Sequence, residues 1–183
     1  MTDARSNPIT LACRCGTTRM TVTGSPIMAV ECGCTSCRTA AARLAPPDLL
    51  TPQATTPYVM VRKDRIAFDD GVRLSHLRLT PDSATRRVVA ACCGTPLFLE
   101  FEKGHWLSIY SRLWPAEARP RPTLRTMTRD LPEGVTPPDD MTNARAHTPG
   151  FMARLLWAWV AMGFRVPKMP PSVPVDSSGR TAH

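Results

Sequence analysis

The chain has 183 residues, 43% of them hydrophobic, and a formal net charge of +8, enough for one domain with a real core and too little for two large ones. The first ten residues carry no apolar run behind a basic start, so they do not read as a secretory signal and favour the cytoplasm. The longest apolar stretch, Leu155 to Phe164, is only ten residues against the roughly 20 that a membrane span needs, and arginines spread along the chain with few interleaved aromatics argue against a nucleic-acid platform.

In chain order, Ile9 to Leu11 and Met20 to Thr23 have strand-like composition and flank a turn, Cys13-Arg-Cys15-Gly16. A second cysteine group comes next, Cys32-Gly33-Cys34-Thr-Ser-Cys37-Arg38. It overlaps a segment, Thr35 to Leu44, whose Ala40-Ala-Ala-Arg-Leu44 run predicts a short helix ended by Pro46-Pro47, with Cys37 in the first turn. A helix N-terminus near thiols lowers their pKa and keeps them ready for a metal. Tyr58 to Val61, Arg73 to Thr80, Arg87 to Ala90, Leu97 to Phe101 and Trp106 to Tyr110 read as further strands, so the body is mainly β. Leu74 to Leu79 alternates imperfectly, which suggests an exposed or edge strand.

The composition changes at Pro115. Residues 115–149 are rich in proline and predict an irregular connection between a domain at 8–114 and a C-terminal helix. That helix, over residues 150–166, is predicted to be amphipathic, with Phe151, Leu155, Trp159 and Met162 at helical spacing and Trp157 elsewhere on the wheel. Docking on its own domain is the leading arrangement and a homodimer interface its main competitor. Residues 167–183 suggest a disordered tail.

The seven cysteines need an explanation other than disulfides in a reducing compartment. They fall in three tight clusters, the last being Cys92-Cys93-Gly94-Thr95, whereas cysteines acting as small hydrophobes are commonly single. Cys-x-Cys pairs are poorly spaced to bridge to themselves but can aim two sulfurs at one tetrahedral ion. Seven ligands divide as four plus three: four thiolates close a zinc site, and three leave a position for water or substrate. Cys32, Cys34 and Cys37 are near enough to form one site alone. Cys13 and Cys15 then join Cys92 and Cys93, closing a long loop as structural zinc sites do. Such anionic sites call for cations nearby, for which Arg14 and Arg38 are candidates.

The order Cys-x-Cys-Gly, Cys-x-Cys-x-x-Cys-Arg and Cys-Gly-Thr-x-Leu-Phe resembles the glutathione-dependent formaldehyde-activating enzyme and centromere protein V family over about residues 8 to 110. The resemblance implies an Mss4-like β fold, a structural zinc on Cys13, Cys15, Cys93 and Cys92, and a labile zinc on Cys32, Cys34 and Cys37 near a glutathione site. Two departures stand out. Gly33 replaces a histidine usual in the family, and Ala90 occupies the usual first position of the late pair, with Cys92 abutting Cys93. Neighbouring side chains in a strand point to opposite faces, so joint ligation by Cys92 and Cys93 requires a turn there.

Two functions are then expected to compete. In one, Cys32, Cys34 and Cys37 form the catalytic site of a carbon–sulfur lyase acting on a glutathione or other small-thiol adduct of an aldehyde, with His76 and His105 as surface or packing residues. In the other, the chain is a non-catalytic zinc-stabilised binding module, which the loss of histidine at Gly33 favours.

Overall fold

A computed structural model describes residues 7–44, 46 and 48–175. Its strands are β1 (Ile9–Ala12), β2 (Arg19–Val22), β3 (Met28–Cys32), β4 (Thr56–Arg62), β5 (Ile66–Phe68), β6 (Leu74–Leu77), β7 (Thr85–Ala90), β8 (Pro96–Phe101), β9 (Trp106–Tyr110), β10 (Leu124–Thr126), β11 (Thr142–Asn143) and β12 (Ser172–Pro174). Two helices, α1 (Thr35–Leu44) and α2 (Pro149–Ala161), complete the mainly β architecture. The strands form a small sheet, β1-β2-β5, and a nine-stranded sheet in the order β11-β10-β3-β4-β9-β8-β7-β6-β12.

Side chains alternate across a strand, so each central strand feeds two cores. On one face of the large sheet, Ala29, Val59, Val61, Val88, Phe98, Leu107 and Ile109 pack against Leu11, Met20 and Val22 of the small sheet. On the other face, Met28, Val30, Tyr58, Met60 and Tyr110 pack against Cys37 and Ala41 of α1 and Phe151 and Leu155 of α2. Burying each such large apolar side chain contributes about 1.5–3 kcal/mol, so the second face is a core in its own right.

Helix α2 starts where its sequence says it should. Thr148 is the N-cap, its Oγ1 accepting from the Phe151 N–H at 3.1 Å, with Pro149 in the first turn. It docks through Phe151 and Leu155 while Trp157 stays 74% exposed. His105, 5% exposed, has Nε2 2.8 Å from the Leu155 carbonyl and stacks on the Trp159 ring at 5.5 Å. It is a packing histidine that ties α2 to the end of β9. The helix closes at Ala161, short of residue 166, because Gly163 turns left-handed at φ 61° and its N–H bonds back to the Val160 carbonyl.

The stretch from 115 to 149 differs from an irregular connection. It contributes β10 and β11, which extend the large sheet in parallel beside β3. The cause is Arg125, 3% exposed, whose Nε donates to Glu31 Oε2 at 2.7 Å and whose Nη1 donates to Asp140 Oδ1 at 2.6 Å. One guanidinium thus holds the segment to a buried carboxylate on β3. The expected tail differs too: Ser172–Pro174 pairs with β6, so β6 is an inner strand and not an edge. Residues 176–183 lie outside the described residues.

Candidate metal centres and the adjoining cavity

Cys13 and Cys15 come from the turn between β1 and β2, Cys92 and Cys93 from the turn between β7 and β8, and the four sulfurs lie within 4.8 Å of one another. The sulfur–sulfur separations are 3.5 Å for Cys13–Cys15, 3.6 Å for Cys13–Cys92, 3.3 Å for Cys15–Cys92 and 3.8 Å for Cys92–Cys93. A tetrahedron with Zn–S of about 2.3 Å has edges of about 3.8 Å, so the donor set fits zinc. The turn needed for adjacent cysteines to point the same way is present: residues 91–93 leave the strand, and Gly94 at φ 68° sends its N–H to the Ala90 carbonyl at 2.8 Å. Gly16, at φ 77°, does the same for Cys13. The Thr18 N–H points at Cys13 Sγ (3.3 Å), and the Thr17 hydroxyl, 3.3 Å from Cys15 Sγ, pulls that thiol down to about 6. Arg14 stays near this cluster, reaching the Cys93 carbonyl at 3.4 Å.

The second cluster is local. β3 ends at Cys32, Gly33 breaks the strand, Cys34 precedes α1 and Cys37 lies in its first turn, with all three sulfurs within 4.8 Å of one another. The Cys37 N–H points at Cys34 Sγ (3.4 Å), and buried Tyr58 donates to Cys37 Sγ at 3.6 Å. Hydrogen bonds from Cys32 and Cys37 hold the Cys34 thiol far below the thiol range, while Cys32 is driven far above it. Ionising all three of these closely spaced, largely buried sulfurs requires a cation among them. Three thiolates at the N-terminus of a helix are a donor set that a metal ion can satisfy. Arg38, expected as the local cation, instead reaches the Gly33 carbonyl and the Thr35 hydroxyl.

Above this cluster lies a cavity of about 340 Å³. Its floor is one face of the large sheet: Cys32, Tyr58 and Met60, Trp106 and Ser108, Leu99 and Phe101, and Thr85 and Arg87, from β3, β4, β9, β8 and β7 in spatial order. Its other wall is α2, through Phe151, Met152 and Leu155, with Thr126 and His147 beside it. His147 Nδ1 lies 3.0 Å from Thr126 Oγ1 and its ring stacks on Phe151 at 4.5 Å. Burial holds its pKa below the ordinary histidine value, with Cys34 acting in the opposite direction. Arg87, 1% exposed, donates to Ser36 Oγ at 2.6 Å and to Thr85 Oγ1 at 3.2 Å, and no carboxylate pairs with it among the described residues. Its charge acts on Cys34.

His147 and Arg87 were not legible as site residues from sequence. His147 sits in the proline-bearing stretch, more than a hundred residues beyond the cysteines it faces. The one signal for Arg87 is a charge in a strand otherwise bound for the core, Thr85-Arg-Arg-Val-Val-Ala90. The structure also accounts for Gly33: a Cβ there would meet Leu131 Cδ2 at 2.9 Å and the Met127 carbonyl at 3.1 Å. The segment after β10 occupies the space a histidine at 33 would need, and the imidazole at this site comes from that same segment four residues after β11.

No helix among the described residues is long and apolar enough to cross a membrane. No curated protein matches the chain. The family model for the glutathione-dependent formaldehyde-activating enzyme matches residues 8–112, which include all seven cysteines of the two clusters, and the chain belongs to that family.

Proposed function

We propose that the protein makes or breaks a carbon–sulfur bond in an adduct between a small thiol, glutathione or another, and an aldehyde, at a zinc ion held by Cys32, Cys34 and Cys37. A second zinc on Cys13, Cys15, Cys92 and Cys93 is structural, and a reducing compartment such as the cytoplasm keeps all seven thiols available. The observation that carries the reading is the incomplete three-sulfur set opening on a cavity of about 340 Å³; a binding module whose second site merely stored metal has no need of that space.

Zinc bound to three thiolates supplies a Lewis acid that keeps an arriving thiol deprotonated near neutral pH. The rest is done by the chain. The α1 N-terminus and the Tyr58 hydroxyl stabilise charge on the cluster sulfurs. The apolar lining offers few partners to water, which would otherwise compete for the aldehyde. In the addition direction, a sulfur lone pair forms the C–S bond to the carbonyl carbon, the C=O π pair moves to oxygen, and the thiol proton ends on that oxygen. The reverse releases the same thiol and aldehyde, and neither direction consumes an oxidant or reductant. We assign the proton to His147, whose Nδ1 is held 3.0 Å from Thr126 Oγ1 and whose burial favours the neutral ring that can accept and return a proton.

The test is exchange spectroscopy on zinc-loaded protein with formaldehyde and a thiol. Catalysed interconversion of the free pair and the S-hydroxymethyl adduct, abolished in Cys34→Ala, is the expected result. An unchanged rate with both glutathione and an apolar thiol would leave only the binding module.

A further inference from the structure

The cavity over Cys32, Cys34 and Cys37 has a chemical character that narrows the thiol. Outside the cluster its lining is dominated by large apolar side chains, Met60, Leu99, Phe101 and Trp106 on the sheet and Phe151 and Leu155 on the helix. Among the described residues its lining includes no acidic side chain, and its one permanent cation is Arg87. That guanidinium is 1% exposed and is held at the floor by Ser36 and Thr85, with its charge directed at Cys34. Three thiolates on a divalent cation carry a net charge of about −1, which Arg87 offsets. No lining charge is left to receive a further ionic group, and an uncompensated ion in an apolar space is strongly disfavoured. Glutathione carries two carboxylates and an ammonium, for which this lining offers no remaining ionic partner. The sheet side of this apolar lining lies within the matched residues 8–112, and Phe151, Met152 and Leu155 of α2 close it from outside them.

We propose that the cavity between the sheet and this chain's own C-terminal helix takes an uncharged, apolar thiol, an aryl or alkyl thiol whose body lies between the sheet and α2 while its sulfur faces the three cysteines. The inference rests on the thiol reading above, and two readouts keep the two apart. Calorimetry reports occupancy of the cavity, and the absorption bands of cobalt-substituted protein report whether a sulfur has joined the metal. The probes are benzyl mercaptan, glutathione and the sulfur-free benzyl alcohol.

Benzyl mercaptan is expected to bind at least about tenfold more tightly than glutathione, the smaller end of what burying one phenyl group supplies. Benzyl alcohol should compete with it for the cavity. Met152, on the cavity rim and 54% exposed, offers a variant that spares the core: Met152→Asp should remove most of that preference without lowering the melting temperature. Glutathione binding as tightly as benzyl mercaptan, or a preference untouched in a folded Met152→Asp, overturns the inference. Cobalt bands that respond to glutathione alone overturn it while sparing the carbon–sulfur reading. Cavity occupancy by benzyl mercaptan with unmoved bands does the opposite, upholding the apolar site and removing the thiol from the metal.

Discussion

The two cysteine clusters share one ligand type but differ in position, and that difference underlies the two purposes proposed for them. The first gathers sulfurs from two turns about 80 residues apart in sequence, Cys13 and Cys92 being 79 apart, at the end of the small sheet. Its neighbours are backbone amides, the hydroxyls of Thr17, Thr18 and Thr95, and the Arg14 guanidinium on the Cys93 carbonyl. Four sulfurs complete a tetrahedral set there, with Cys15 and Cys92 at the surface. The second draws on one continuous stretch of six residues, is roofed by two helices, and opens on an apolar cavity with a buried cation and an imidazole. A metal that joins distant turns is worth folding energy, whereas one held by a local stretch adds little to the fold and is free to exchange ligands.

The sharpest break in the comparison is Cys13→Ala. Removing a sulfur that is 4% exposed and joins β1–β2 to β7–β8 should cost on the order of 4 kcal/mol or more. Thermal denaturation should then show a fall of about 10 °C. Cys92→Ala is expected to lose the same zinc; full metal content and unchanged melting would remove Cys92 from the ligand set.

Arg125→Met comes next. It strands the buried Glu31 carboxylate and frees the segment carrying Thr126 and His147, at a cost of about 3 kcal/mol. Denaturant titration should place this loss below that of Cys13→Ala. An effect under about 1 kcal/mol would mean that the segment is held by its strand pairing alone.

His147→Ala should act on rate rather than fold. About a hundredfold loss in adduct exchange, equivalent to about 2.7 kcal/mol on the barrier, is expected with little change in melting. Equal losses of rate and stability would make His147 a packing residue like His105.

The smallest effect belongs to His105. Burial, chiefly, depresses its pKa in the folded state, so the unfolded chain takes up the proton first. The stability it contributes is complete above about pH 6.5 and is lost as pH falls below that value. His105→Gln should cost about 1 kcal/mol at about pH 8, the worth of the bond to Leu155. It should also flatten the decline in melting temperature between about pH 6.5 and 5. An undiminished decline would assign it to His76 or His147.

Much of this organisation is legible in the sequence. Seven of the strands, both helices and the four-plus-three division of the cysteines can be read from period, composition and spacing. β3 escaped because Met28-Ala-Val-Glu-Cys32 mixes residues of weak strand preference, and its four buried positions are set by covering on both sides. β10 and β12 escaped because they are short and proline-flanked; what orders β10 is an ion pair between residues 94 apart, and what orders β12 is the open edge of β6. The cavity was invisible for the same reason. It exists only where a sheet face assembled from five strands meets a helix from the far end of the chain.

The division of labour between the clusters is tested most directly by counting zinc in purified wild type and Cys34→Ala and melting both. The expected result is two zinc ions per wild-type chain and one per variant chain, with melting temperatures within a few degrees. One zinc in the wild type, or a variant that loses both ions and unfolds, would contradict the assignment of one centre to the fold and the other to chemistry.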